Sequence, residues 1–208
     1  MESTLHPSSL ALCQQAMGAL RQEQTLNDIS PTAKSKVERV CYRFYETSRM
    51  EVLTSYGWSF VREECRAGTC MPCEDGRLRC HMPADAIRIL ACYGQSGHKI
   101  EYTTRSNGFI YTRIPVARIV YEVDEKDVDL WPVKVRKVFA LCLAKNVAIE
   151  ITGRTQDLQI VTRQYLDAMQ EARTEDARQS QTGASVYGRN YLYDCMTGKV
   201  NPFRKIGL

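Results

Sequence analysis

The sequence has few of the residue patterns that mark enzymes. It contains three histidines in 208 residues, no Walker phosphate-binding loop and no Gly-x-Gly-x-x-Gly fingerprint. His6 lies near the N-terminus, and neither His81 nor His98 has a nearby Ser or Cys in a recognisable nucleophile elbow. Since no acid, base and nucleophile can be named together, we expect a protein that is not an enzyme and uses no cofactor.

Long apolar runs and strong charge are also missing. No run approaches the roughly 18 apolar residues of a membrane span, and the first residues do not have the basic and apolar regions of a signal peptide. We therefore expect synthesis and retention in a cytosol. The net charge of +4 is small for a dedicated nucleic-acid-binding protein. Much of it falls in residues 179–208, where Arg189, Lys199, Arg204 and Lys205 oppose Asp194 alone.

The cysteines do not predict a disulfide framework, because there are nine of them and a cytosol is reducing. Four of them, Cys65, Cys70, Cys73 and Cys80, have a spacing for which tetrahedral zinc coordination is one interpretation. Structural zinc sites usually have two Cys-x2-Cys knuckles, and this cluster has one. The ordinary alternative is a hairpin with unpaired cysteines, in which Cys65 and Cys80 lie across the strands and the other two form the tip.

The acidic run of residues 122–129 lacks the Gly of a calcium-binding loop. We interpret this run as a solvated loop that ends in a helix N-cap at Asp129.

Hydrophobic periodicity predicts four helices. Apolar residues recur at helical spacing in four segments. The predicted helices cover residues 8–20, 33–56, 129–152 and about 155–178. Pro132 falls in the first turn of the third helix, next to Trp131, and Gly153 ends that helix. The short loop after Gly153 makes the last two helices an antiparallel hairpin.

The segment Tyr56-Gly57-Trp58-Ser59-Phe60 marks a change from helical to strand periodicity. Gly57 suits the left-handed position after a helix, and apolar and polar residues alternate beyond it. We interpret Gly57, Trp58 and Phe60 as structural anchors at this junction. Trp131 and Gly153, at the two ends of the third helix, are the other predicted structural anchors. Six short strands are predicted after it, at residues 60–66, 77–82, 87–93, 99–103, 109–114 and 119–123. Turns containing Gly76, Gly97 and Gly108 separate several of these strands.

Residues 179–208 combine aromatic and basic residues with several glycines, which predicts an arm without regular secondary structure. Because Tyr and Arg are favoured at interfaces, we interpret the segment as an arm that becomes ordered on a partner. Packing against its own domain is the alternative. The candidate partner-binding residues are Tyr187, Arg189, Tyr191, Tyr193, Phe203 and Arg204.

These patterns together predict an α+β protein. Residues 8–57 and 129–178 form a helical bundle core of about four helices. Residues 58–128 form an inserted antiparallel β subdomain of short strands, and residues 179–208 form an extended C-terminal arm.

This order of elements resembles the head–tail connector, or adaptor, proteins of tailed bacteriophages, particularly the tail tubular gatekeeper family of short-tailed phages. The matching stretches are residues 10–19, 48–60 and 82–90, and residues 131–178 resemble the closing helix hairpin of the family. The resemblance covers about residues 8–178. The cysteine cluster departs from the pattern expected of this family.

The resemblance implies a structural protein of the virion neck that is assembled in the host cytoplasm. Such proteins form a homo-oligomeric ring, usually of twelve copies, between the portal protein and the next tail component, a nozzle or tail tube. Double-stranded DNA passes through the lumen during ejection without sequence-specific binding. The arm would correspond to one that commonly grips the portal. The alternative function is a small zinc-dependent nucleic-acid-binding regulator that uses Cys65, Cys70, Cys73 and Cys80.

Overall fold

The computed structural model describes the backbone of residues 7–105 and 107–196, and the side chains of residues 9–105 and 107–180. It has an α+β fold with a helical core and two inserted antiparallel sheets, as predicted. The helices are α1 (Pro7–Ala19), α2 (Lys36–Thr54), α3 (Val133–Thr152) and α4 (Thr155–Met196). The strands are β1 (Arg62–Arg66), β2 (Met71–Pro72), β3 (Leu78–His81), β4 (Ala86–Tyr93), β5 (Lys99–Ile100), β6 (Tyr102–Arg105), β7 (Phe109–Thr112) and β8 (Arg118–Val123).

The start of α2 is fixed by a capping box, three residues later than predicted. The Ser35 hydroxyl accepts a hydrogen bond from the backbone N–H of Val37, and the Glu38 carboxylate accepts one from the N–H of Ser35. These contacts satisfy N–H groups that have no partner inside the helix.

The end of α2 differs from the prediction at Gly57. The residue after the helix, Ser55, has a right-handed conformation, and Gly57 is not among the residues with positive φ. The Val52 carbonyl accepts hydrogen bonds from the Ser55 hydroxyl and from the indole N–H of Trp58. Because side chains satisfy this carbonyl, the helix ends without a left-handed glycine.

Helix α3 is the centre of the helical core and packs against α1, α2 and α4. Phe139, Cys142 and Leu143 are fully buried in it, as expected for a helix that is apolar on nearly all sides. The predicted cap at Asp129 is wrong, because Pro132 is the N-cap of α3 and Asp127 caps a preceding 3₁₀ turn, Val128–Leu130. Gly153 ends the helix with a φ of 67°, as predicted.

The two sheets lie in the insert and have a second hydrophobic core of their own. The first sheet has the strand order β1-β8-β4-β5 and the second has the order β2-β3-β7-β6. Cys80 and Ile110 of the second sheet are buried together with Ile89, Cys92 and Ile119 of the first. Glycines with positive φ occupy the turns at Gly76, Gly97 and Gly108, as predicted.

Helix α4 corrects the prediction that regular structure ends near residue 180. Its backbone continues to Met196, and at about 1.5 Å per residue its 42 residues span about 63 Å. None of the helices in the described part of the chain combines the length and apolar character that crossing a membrane requires.

Candidate functional site

The junction between the helical core and the insert is built around Trp58. Its side chain is fully buried, and its indole N–H donates a 2.9 Å hydrogen bond to the Val52 carbonyl. Tyr56 packs edge-on against it at 4.9 Å between ring centroids, and Phe60 lies at 6.3 Å. Trp131 continues the row, 5.8 Å from Phe60. The structure therefore brings the predicted anchors Trp58, Phe60 and Trp131 together in one aromatic row.

Gly57 lies beside an ion pair that links β4 to β8. The Glu122 carboxylate is 1% exposed and accepts hydrogen bonds from both Nη2 and Nε of Arg88, at 2.7 and 3.0 Å. These bonds raise the pKa of the Arg88 guanidinium. A Cβ atom at Gly57 would lie 3.5 Å from Glu122 Oε1, so the backbone at Gly57 packs directly against this ion pair.

A second ionic contact joins α2 to the segment after β8. The Arg49 side chain is 1% exposed and contacts the carboxylates of Glu46 and Asp124, at 2.6 and 2.7 Å. It also donates a 2.9 Å hydrogen bond to the Glu125 carbonyl. The interpretation of the acidic run as a solvated loop is therefore wrong for Glu122 and Asp124. Their charges are paired with arginines that lie more than 30 residues away in sequence, which local composition cannot predict.

Asp176 attaches α4 to the same junction. Its carboxylate is 8% exposed and accepts hydrogen bonds from the N–H of Ser59 at 3.0 Å and from its hydroxyl at 2.6 Å. Sequence reasoning missed this contact. Its position in the helix could have indicated that it is buried, because Asp176 follows Ala168 and Ala172 at four-residue spacing on the buried stripe of α4.

The cysteine cluster is organised by a disulfide between Cys70 and Cys80, whose Cα atoms are 4.3 Å apart. Met71 pairs with Arg79 in the β2–β3 ladder, so Cys70 and Cys80 continue that register directly opposite each other. The prediction of unpaired hairpin cysteines is therefore wrong for these two residues. Cys65 lies in β1 of the other sheet, opposite Ile119, and not across the hairpin from Cys80.

The four cysteines do not form a tetrathiolate site. Cys70 and Cys80 are bonded to each other, while Cys65 and Cys73 are half-buried free thiols. Among the side chains of residues 9–105 and 107–180, no group of three or more His, Cys, Asp or Glu is placed to hold a metal ion.

Several strongly shifted titratable groups lie in the helical core. Burial raises the pKa of Tyr45, Tyr165 and Cys142 to about 12 in each case. Tyr45 donates a 2.7 Å hydrogen bond to the Ser9 hydroxyl, and the Lys145 ammonium lies 4.8 Å from the ring centroid of Tyr165. These side chains are protonated near neutral pH and pack the core. The absence of catalysis stays a prediction.

The helical core exposes large apolar side chains at several places, which include Tyr42 in α2 and Ile149 near the end of α3, and two pairs bear on the function. Leu130 and Val133, at the start of α3, are 66% and 72% exposed. Ile160 and Leu166, in the first half of α4, are 47% and 59% exposed. We call these pairs the α3 group and the α4 group. The sequence analysis did not single out these four residues, although all of them lie on the exposed side of their helix or turn.

The candidate arm residues lie outside the side chains that the structure describes. The backbone positions of Tyr187, Arg189, Tyr191 and Tyr193 are part of α4. Phe203 and Arg204 lie beyond the described residues. The partner-binding role of the arm stays a prediction.

Comparison of the chain with protein-family models and with curated proteins finds no match. The resemblance to phage connector proteins therefore stays a prediction from the sequence.

Proposed function

We propose that the protein is a structural adaptor of a tailed-bacteriophage virion. It forms a ring at the head–tail junction, joins the portal protein to the nozzle or tail tube, and lets double-stranded DNA pass. The resemblance over residues 8–178 supports this function and a ring of twelve copies. The observation that carries the proposal is the exposure of large apolar side chains on two different elements of the helical core.

A closed ring requires two unlike surfaces on each subunit, because each copy contacts its neighbours head to tail. The α3 group and the α4 group are candidates for these surfaces. Val133 also borders a groove between α1 and α3 whose other sides include Gln15, Arg136 and Lys137. Burying exposed apolar side chains against a neighbour is favourable, by about 25 cal/mol per Å² of apolar surface. The proposal assigns ring contacts to the helical core and leaves the insert to extend toward the tail.

The ring can be tested by measuring the mass of the purified protein alone and with portal rings, using light scattering and electron microscopy. We expect Val133→Glu and Leu166→Glu each to remain folded but to block ring formation, because each places a charge in one proposed contact. The matched control is Ile114→Glu, which alters an apolar side chain of the insert that is 55% exposed. This control should still assemble. A stable wild-type monomer that never joins portal rings contradicts the proposal.

The location in the particle needs a separate experiment. Images of purified virions or portal complexes should show this chain as a ring at the neck. Particles that contain the chain elsewhere, or lack it, contradict the adaptor function even if the isolated protein forms rings.

A further inference from the structure

One face of the second sheet turns away from the insert's hydrophobic core and is rich in arginine. Strand alternation directs Cys80 and Ile110 into that core. The residues that alternate with them are on the opposite face. We call this the basic face, and its residues are Arg77, Arg79, His81, Thr103, Arg105, Phe109 and Tyr111.

Aromatic rings orient the guanidinium groups of the basic face. Arg77 and Arg105 both lie over the ring of Tyr111, at 5.4 and 4.8 Å from its centroid. Arg79 lies over the ring of Phe109 at 5.4 Å. Stacking of this kind restricts a long side chain and holds its charge in place. The basic face therefore presents positive groups in a defined arrangement.

Most of this charge is not neutralised by carboxylates. Arg77 pairs with Asp75 at 2.5 Å, and its hydrogen bonds, with a smaller effect of the nearby Arg105 charge, lower the pKa of the Asp75 carboxylate. Neither Arg79 nor Arg105 forms a direct ion pair with any residue that the structure describes. Arg49 and Arg88 of the junction, by contrast, both bind carboxylates. The unpaired arginines on β3 and β6 favour an anionic partner.

We propose that the basic face binds the sugar–phosphate backbone of duplex nucleic acid. Guanidinium groups bind phosphate through paired hydrogen bonds. Arg77, Arg79 and His81 recur every second residue, about 6.7 Å apart on an extended strand, so they form a row of donors that can follow successive phosphates of a nucleic-acid backbone.

The contact is to the backbone and not to the bases. Tyr111 is only 9% exposed beneath its two arginines, and the half-buried Phe109 ring is covered by Arg79 and by His81, 4.5 Å away between ring centroids. Neither ring therefore offers a free surface on which a base can stack. Binding is therefore independent of sequence and sensitive to salt. The inference goes beyond the adaptor function and does not depend on it, because a single subunit carries the whole face.

The experiment measures the affinity of the full chain for a fluorescent 30-base-pair duplex at several salt concentrations. We expect Arg79→Gln with Arg105→Gln to weaken binding at least tenfold at low salt. The slope of log affinity against log salt should become shallower by about 1.8, since each phosphate contact contributes about 0.9. The matched control is Arg62→Gln with Arg66→Gln, which removes two exposed arginines from β1 of the other sheet. The control should change affinity less than threefold.

Further measurements decide between explanations of a loss of affinity. Arg79→Lys with Arg105→Lys should restore part of the affinity, and far-UV circular dichroism of each variant checks that the insert is folded. Equal losses in the basic-face and control variants would overturn the proposal, because the effect would be one of net charge. Tighter binding to single-stranded DNA, or to polyglutamate, than to the duplex would overturn it in favour of base stacking or of an acidic protein partner. Ring formation can fail without affecting any of these results.

Discussion

Trp58 is the residue on which the junction depends most. Its side chain is fully buried and contacts the helical core through the Val52 carbonyl and the insert through Phe60. We expect Trp58→Ala to lower the free energy of unfolding by about 3–5 kcal/mol, because it leaves a large cavity. Trp58→Phe should cost less, since it keeps most of the apolar volume. Denaturant titration of both variants measures the change in the free energy of unfolding. A change near zero for Trp58→Ala would mean that burial of this side chain at the junction does not stabilise the fold.

Glu38 makes the stability of the helical core dependent on pH. Its carboxylate accepts hydrogen bonds from the N–H groups of Asn27, Ser35 and Asp28, and these lower its pKa, the Asn27 bond most. A lowered pKa in the folded state means that the stabilisation is complete above the ordinary value of about 4.3 and is lost as the pH falls through the lower folded value.

The test compares wild type with Glu38→Gln between pH 7 and pH 2.5. The variant should be about 1–2 kcal/mol less stable at pH 7, since hydrogen bonds to a charged group are lost. This difference should shrink below about pH 4 as the wild-type carboxylate becomes protonated. Glu101→Gln, at an exposed position, is the control. A difference that stays constant down to pH 2.5 would show that the charge of Glu38 is not the cause.

At the scale of whole elements, the disulfide joins the two sides of the β2–β3 hairpin, and removing it tests how much this link stabilises the fold. Cys70 and Cys80 are separated by ten residues, and closing a loop of this size stabilises the folded state by about 2–3 kcal/mol. We expect Cys70→Ser with Cys80→Ser to lower the melting temperature, while Cys73→Ser, at a free thiol, changes it little. Mass spectrometry should find Cys70 and Cys80 protected from alkylation until a reductant is added. Stoichiometric zinc that is lost in Cys70→Ser would instead support the zinc-dependent alternative.

The elements themselves were predicted well where local patterns decide them. Helical periodicity located α1 to α4, and alternation with turn glycines located most of the strands. It missed β2, and the single strand predicted at residues 99–103 is in fact two strands, β5 and β6, in different sheets. What local patterns could not supply is strand pairing, because β8 lies between β1 and β4, and β3 pairs with β7 across a long stretch of sequence. The disulfide was missed for the same reason, since the pairing of Cys70 with Cys80 follows from the register of β2.

Some element ends were misjudged because side chains, and not periodicity, determine them. Ser35 and Glu38 start α2, and the Ser55 and Trp58 side chains satisfy its last turn. At the junction, helical spacing places Asp176 on the buried stripe of α4, but local patterns could not identify its partner, Ser59, which is 117 residues away.

On the scale of the whole molecule, the chain has two hydrophobic cores joined at a narrow junction. The helices pack mainly on α3, and the strands pack mainly on one another. The aromatic row, the Arg49–Asp124 ion pair and the Asp176–Ser59 hydrogen bonds connect the two parts. Because few contacts cross the junction, the insert can lose structure while the helical core stays folded.

Ile110→Ala tests this separation. Ile110 is fully buried in the insert's core, so the substitution should destabilise the insert by about 2–5 kcal/mol. Native-state hydrogen exchange should then show lower protection for β3 and β7 and nearly unchanged protection for α3. Ile114→Ala, at a side chain that is 55% exposed, should change neither. An equal loss of protection in α3 would mean that both cores unfold as one cooperative unit, and that an adaptor built this way could not move its insert independently of its ring contacts.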